Sequence, residues 1–308
     1  MTAPTRTAST ARSPGGLSWG RIISPTARLQ MVILAALLLL AYRRPIADLI
    51  VHKWWHDPNW SHGWLVPLFS LYFLSTIKPQ LASTAFRPSW VGFFLLLAAF
   101  GTCFWFLLIF PAGYPQSLSI IPAMLGLVLL MGGWALLRLI WFPICYLVLA
   151  IPLPDGLYFT LTFPLRKLAS EVASVLLSLL PGVHTEVSGV VIDFLYRGTS
   201  GNLNVEEACS GMRLIMAFFA LGTAMAYLGD RPIWQRVVMV AACIPIAIMC
   251  NVIRVTTTGC LYIYDLRSWA SGTPHELLGL AMLPIAFGLF ALVGYVLKNL
   301  FIEEPETF

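Results

Sequence analysis

The chain has 308 residues, 58% of them hydrophobic and 11% charged, with a mean hydropathy of +0.81, whereas a soluble domain carries roughly 25% charged residues. That composition excludes a soluble globular enzyme. The net charge of +5, from 19 Lys and Arg over 14 Asp and Glu, is spread thinly between apolar segments and reads as topology and lipid contact, with no nucleic-acid partner.

Residues 1–28 are rich in Thr, Ser, Pro and Gly and contain no acid, which predicts a disordered cytoplasmic tail. No small-residue cleavage site follows the apolar stretch Leu29 to Tyr42, so it reads as an uncleaved anchor. Hydropathy then places crossings near 29–42, 62–77, 89–110, 118–137, 139–152, 211–228, 233–264 and 276–297. The expected fold is an all-α polytopic membrane protein of about eight transmembrane helices. Residues 29–301 form one domain, 302–308 a short tail, and both termini are cytoplasmic. The Lys and Arg bias behind this orientation is modest, and a tight turn is expected near Arg138.

Between residues 154 and 208 the pattern changes, predicting an extracytoplasmic or interfacial insertion. Leu157 to Leu180 carries Arg166, Lys167 and Glu171 among leucines, as a helix lying on or dipping into the membrane surface would. Gly182 to Asn204 is β-branched and Gly-rich, consistent with a small hairpin outside the bilayer.

Three positions from different crossings converge on the outer face by hydropathy alone. Cys209 stands in Asn204-Val-Glu-Glu-Ala-Cys-Ser-Gly-Met-Arg213, ahead of an apolar helix. The helix N-terminus and Arg213 favour its thiolate there, and Glu206 and Glu207 oppose it. Cys209 reads either as a structural thiol or as a nucleophile. Arg254 lies about 17 residues after Val237 within its crossing, roughly 25 Å of helix rise, and is either a snorkelling anchor or a functional group. His275 opens the last helix behind Thr273 and Pro274, as an interface residue or a general acid/base. A thiolate, a guanidinium and an imidazole are the parts that acyl transfer at a peptide carbonyl requires.

Weaker signals have plainer readings. His52 and His56 have helical metal-ligand spacing, but Pro58 interrupts the segment and no further ligand completes a site, so neither metal nor cofactor is expected. The second His of a zinc-protease helix is replaced by Gly279. Ser210 is a rival nucleophile without the Gly-x-Ser-x-Gly elbow. Cys243 and Cys250, seven apart, predict helix packing, and the tryptophans Trp54, Trp55, Trp60 and Trp64 an interfacial belt.

Together, Asn204 to Arg213, Asn251-Val-Ile-Arg-Val and His275-Glu-Leu-Leu-Gly resemble the signature blocks of the exosortase and archaeosortase group. Trp60-Ser-His-Gly-Trp-Leu-Val-Pro67 and Phe163-Pro-Leu-Arg166 agree, and the resemblance covers about residues 50–297. It implies a cysteine peptidase and transpeptidase of the cytoplasmic (inner) membrane whose active site faces the periplasm. The implied partners are secreted proteins ending in a tripartite sorting signal: a short motif such as Pro-Glu-Pro, a transmembrane helix and a basic cluster. The cut protein would pass to an unidentified surface acceptor. By position Cys209 is the implied nucleophile, His275 the acid/base and Arg254 the stabiliser of negative charge. His62, Glu206, Glu207, Ser210, Arg213 and Asn251 are the implied supporting or substrate-binding residues. The rival reading is a non-enzymatic membrane partner or transporter of a lipid-linked saccharide, in which Arg254 binds phosphate and Cys209 packs.

Overall fold

The computed structural model describes residues 25–109, 112–205, 211–229, 231–266, 269 and 272–300; within these, nothing is stated of the side chains of 27, 58, 211–214, 272–276 and 300. The described chain is helical apart from one small sheet. Its helices are α1 (Pro25–Ala41), α2 (Arg43–Ala47), α3 (Leu65–Thr76), α4 (Lys78–Ser83), α5 (Val91–Leu108), α6 (Gly113–Leu118) and α7 (Ile120–Tyr146). After these come α8 (Asp155–Ser178), strands β1 (Val183–Ser188), β2 (Val191–Tyr196) and β3 (Thr199–Asn204), then α9 (Gly211–Leu228), α10 (Ile233–Ala241), α11 (Cys243–Ile263) and α12 (Gly272–Leu300). A π-helical turn, Asp48–Trp55, and a 3₁₀ turn, Pro58–Trp64, join α2 to α3.

Four stretches among the described residues are long and apolar enough to cross a membrane: Val91–Leu108, Gly113–Ala150, Ile233–Ile263 and Leu277–Asn299. Arg28–Ala41 and Ile215–Leu228 are apolar but shorter, and α3 has only 12 residues. Length and composition thus establish a helical multi-pass membrane protein; the expected count of eight crossings goes beyond them.

The 38 residues of Gly113–Ala150 would extend about 57 Å as a straight helix, nearly twice a bilayer core. They do not run straight. Inside α7, Gly133 has φ 74° and ψ −169°, and Ile121, Ile144 and Ile151 share one buried cluster, so the chain doubles back into a helical hairpin. The reversal expected at Arg138 therefore lies at Gly133, where a backbone without Cβ can take positive φ. The segment before α5 seals the break: the amides of Arg87 and Ser89 donate to the carbonyls of Gly132 and Leu129, each at 3.1 Å. These bonds satisfy carbonyls that have lost their helical partners, as hydrocarbon surroundings demand. Helix α5 packs closely on the first arm, since a Cβ on Gly92 would fall 2.2 Å from the Leu130 amide nitrogen.

A second bundle joins α9, α10, α11 and α12 around Phe218, Met239, Cys243, Cys250, Met282 and Phe290. Cys243 and Cys250 are buried packing residues, as their spacing suggested. Between the bundles, Tyr146 donates from its hydroxyl to the Ala220 carbonyl at 3.0 Å.

Helix α8 departs from its sequence-based description in one respect, the side on which Arg166 lies. Its buried face carries Tyr158, Thr162, Arg166, Ser170 and Ser174, one residue per turn, together with Ala169, Ala173 and Leu177. Leu157, Leu161, Leu168 and Val175 point outward. The apolar side is thus exposed and the polar stripe is sheltered by protein. Lys167 and Glu171 remain exposed and pair at 3.9 Å, whereas Arg166, expected beside them, is on the opposite face.

The sheet is a three-stranded antiparallel meander in the order β1-β2-β3, one strand more than the expected hairpin. It rests on α8 and α11 through Ala173, Ile192, Leu203, Val205 and Val255. Ser170 donates to the Gly189 carbonyl at 3.1 Å, and Ser174 to the Thr185 hydroxyl at 2.9 Å.

Candidate active site

Helix α11 presents Asn251, Arg254 and Thr258, all buried, at i, i+3 and i+7 and therefore on one face. Arg254 is 1% exposed and is the largest fully buried side chain among the described residues. A guanidinium keeps its charge at any working pH, and burying one in an apolar bundle is tolerated where polar groups meet it and function requires it. This placement excludes the anchor reading, since a snorkelling arginine reaches outward.

Arg254 faces α12. A Cβ built on Gly279 would stand 3.4 Å from its Cζ and 3.4 Å from Nη2. Position 275 is four residues ahead of Gly279 in the same helix, on the stripe that one helical turn defines; the side chain of His275 lies outside the described residues. At the other end of α12, Arg231 donates from Nη1 to the Gly294 carbonyl at 2.9 Å. Gly279 and Gly294 are about 23 Å apart along the helix, so the two arginines meet α12 at opposite ends of an apolar stretch.

Cys209, Glu206, Glu207 and Ser210 lie outside the described residues, as does the side chain of Arg213. The chain around them is anchored on one side by Val205, which is fully buried and packs with Val255, the residue after Arg254. On the other side the described residues of α9 begin at Gly211. Asn204 closes β3, and the next residue, Val205, is helical.

His62 is 5% exposed, in the 3₁₀ turn outside the four candidate spans. Its Nε2–H donates to the Leu149 carbonyl at 3.3 Å, which leaves Nδ1 as the acceptor of the neutral ring. Burial lowers its pKa, partly offset by that carbonyl. Trp60 is buried between His62 and Tyr158, with ring centroids 5.7 Å and 5.5 Å away. Trp54 donates from Nε1 to the Ala150 carbonyl at 2.9 Å. Trp54 is half-buried and Trp60 buried, whereas Trp55 and Trp64 stay exposed. His52 pairs with Asp48 at 3.2 Å on the surface.

Sequence reasoning did not single out Tyr158, which is buried on the same face of α8 as Arg166. Burial pushes the Tyr158 phenol up, the Arg166 charge opposes the rise, and the Asp57 and Asp155 carboxylates add to it. A polar residue every fourth position from 158 to 174 was the signal that could have found it.

A charged side chain buried inside a helical multi-pass membrane protein makes Arg254 a candidate functional residue. Residues 54–292 match the family described as Transmembrane exosortase (Exosortase_EpsH), and the chain belongs to that family. No curated protein and no solved structure matches the chain.

Proposed function

We propose that the protein is a cysteine transpeptidase that cuts the C-terminal sorting signal of secreted proteins at the outer side of the cytoplasmic membrane, with both termini inside. The observation that carries this reading is the buried Arg254 guanidinium against Gly279, one turn from position 275. Chain length supplies the third group. Cys209 follows Val205 by four residues, which limits the separation of their Cα atoms to about 14 Å, and Val205 is packed beside Val255.

In this mechanism His275 accepts the Cys209 thiol proton, and the thiolate attacks the substrate carbonyl. The oxyanion develops toward Arg254, a charge that needs no reorientation when the barrier is crossed. Collapse breaks the C–N bond, with His275 returning the proton to the leaving amine. An acceptor amine or water then attacks the thioester, gives its proton to His275, and releases Cys209. His62, Asn251, Glu206, Glu207, Ser210 and Arg213 support or bind substrate around this centre.

The decisive experiment is processing of a reporter that carries the sorting signal, in membranes containing Cys209→Ala or Cys209→Ser. Undiminished processing by either variant overturns the proposal. It would favour the lipid-linked saccharide reading, in which the thiol has no chemical part.

A further inference from the structure

We propose that the free edge of β3 takes up an extended segment of the polypeptide substrate as a fourth strand, held through its main chain a few residues from the cut. The inference rests on the peptidase reading above and adds how the substrate backbone is gripped, a matter separate from its sequence.

The turn between β2 and β3 fixes which way the β3 backbone points. Arg197 and Gly198 both have positive φ, 49° and 80°, and form the two-residue loop of a type I′ hairpin closed by Tyr196 and Thr199. The closing pair exchanges both hydrogen bonds, and bonded and non-bonded pairs then alternate along the antiparallel ladder. Thr199, Gly201 and Leu203 therefore direct their N–H and C=O groups to β2, whereas Ser200 and Asn202 direct theirs away from it. The far end of the hairpin keeps the same phase, since the Val205 amide donates to the Val190 carbonyl at 2.9 Å. Among the described residues β3 pairs with β2 alone, and no backbone hydrogen bond beyond the sheet engages Ser200 or Asn202. Both residues are exposed.

An open edge is a template for another strand, and proteins ordinarily blunt it with Lys, Pro or a bulge. Strand β3 reads Thr-Ser-Gly-Asn-Leu-Asn, with neither charge nor proline. The opposite edge is tied down: on β1 the Val183 amide donates to the Leu180 carbonyl at 3.2 Å, and the Thr185 hydroxyl to the Ser174 carbonyl of α8 at 3.1 Å. Beside β3 there is room for the alternating side chains of an added strand, because an open cavity of about 890 Å³ is lined by Ser200, Gly201 and Asn202 together with Asp193, Leu195 and Tyr262. Strand β3 also leads into the segment that carries Cys209. Asn202 precedes Cys209 by seven residues, at most about 25 Å of chain, so a substrate cut at the thiol lays residues within about eight of its scissile bond along this edge. A second copy of β3 could pair with the same groups, but the position of the edge just ahead of Cys209 favours the chain that is being cut. Recognition of this kind takes its affinity from the main chain and leaves specificity to the side-chain pockets.

The test measures binding of semisynthetic reporters to Cys209→Ala protein in proteoliposomes, each reporter carrying its membrane anchor and one N-methylated peptide bond near the cut. N-methylation removes one N–H and keeps the side chain. Affinity is expected to fall about 3- to 10-fold, the range of one hydrogen bond, at every second position within about eight residues of the cut, and little at the positions between. On the protein side, Asn202→Pro removes an outward N–H without touching the β2 ladder, the position at which an edge strand accepts proline, whereas Asn202→Ala keeps it; in the same background the proline variant is expected to lose a similar factor and the alanine variant none. Equal affinity for all reporters overturns the proposal, as does equal affinity of the two Asn202 variants at matched thermal stability. If Asn202→Pro does not fold, the N-methyl scan decides alone, since it leaves β3 unaltered. A flat scan in which Asn202→Pro only converts a dimer to a monomer gives the edge to a second copy and overturns the proposal. Cleavage of the unmodified reporter by Cys209→Ala at the wild-type rate is the failure of the peptidase reading, and the scan, read as affinity, judges the edge independently of it.

Discussion

Arg254 and Gly279 touch across two helices that join the chain's second membrane bundle, with 3.4 Å between the guanidinium carbon and the point where a Cβ would stand on the glycine. That spacing is ordinary van der Waals contact, so the site accepts one methyl and nothing larger without moving the charge. Gly279→Ala is therefore expected to retain reporter processing within a few-fold, whereas Gly279→Leu displaces Arg254 and loses about 10²-fold or more, the range for a lost oxyanion donor. Full activity in Gly279→Leu, at matched yield of folded protein, would show that the guanidinium's position is immaterial.

Arg254 itself gives the complementary prediction. Arg254→Ala removes a fixed positive charge from the proposed oxyanion position and should lower kcat by about 10² to 10³. Arg254→Lys keeps the charge but not the planar fork, so it should recover only part of the rate. Single-turnover kinetics separate the step affected: the acylation rate falls in both variants while reporter affinity changes little. A loss confined to KM would reassign Arg254 to substrate binding.

How much of this was legible in the sequence follows from what each residue type reports. Apolar runs gave the helices because hydrocarbon admits few alternatives, and the reversal inside Gly113–Ala150 was anticipated, although at Arg138. Charge was the wrong cue there: the turn falls on Gly133, since positive φ and a carbonyl at close range admit only glycine. The polar residues of α8 misled for a related reason. In water Arg166 would seek the surface, but here the interior is the polar side, and one helix sends Arg166 inward and Lys167 outward. Arg254 stood out in the sequence as a charge within an apolar run; its contact with Gly279 did not, because helix pairing depends on packing that a single sequence does not display.

Gly133 offers a test of the hairpin. A Cβ there would lie 1.7 Å from the Arg87 carbonyl oxygen at a φ of +74°. Left-handed backbone costs a side chain about 1–3 kcal/mol, and the clash forces the sealing segment before α5 to move as well. Gly133→Ala should lower the yield of folded, detergent-stable protein severely, while Gly101→Ala, which meets nothing within 4 Å, is neutral. Equal thermal stability of the two variants would contradict the reversal at Gly133.

His62 makes stability depend on pH in a defined direction. Burial holds its pKa below the ordinary 6.5, so on acidification the unfolded ring takes up a proton before the folded one does. Between those two values the unfolded state binds more protons, and stability falls as pH drops through 6.5 toward the folded pKa. The Tm of the wild-type protein should therefore fall more steeply between about pH 7.5 and pH 5 than that of His62→Asn, whose amide can still donate to the Leu149 carbonyl. Parallel pH profiles would remove His62 as a contributor.

Arg166 and Lys167 are neighbours in sequence with opposite surroundings, and the contrast tests the inside-out character of α8. Lys167 is exposed and its pair with Glu171 spans 3.9 Å; such surface pairs contribute about 0–1 kcal/mol, so Lys167→Ala should leave Tm almost unchanged and lose its small effect at high salt. Arg166 is enclosed by protein, and removing one member of a buried charged network typically costs about 3–5 kcal/mol because the remaining members stay desolvated. Arg166→Ala should consequently lower Tm strongly at any ionic strength, with Arg166→Met recovering part of the packing but none of the polar matching. If the two alanine variants were equally mild, α8 would have to turn its charged residues toward water, as a helix lying flat on the membrane surface does, and the polar stripe from Tyr158 to Ser174 would lose its place in the protein interior.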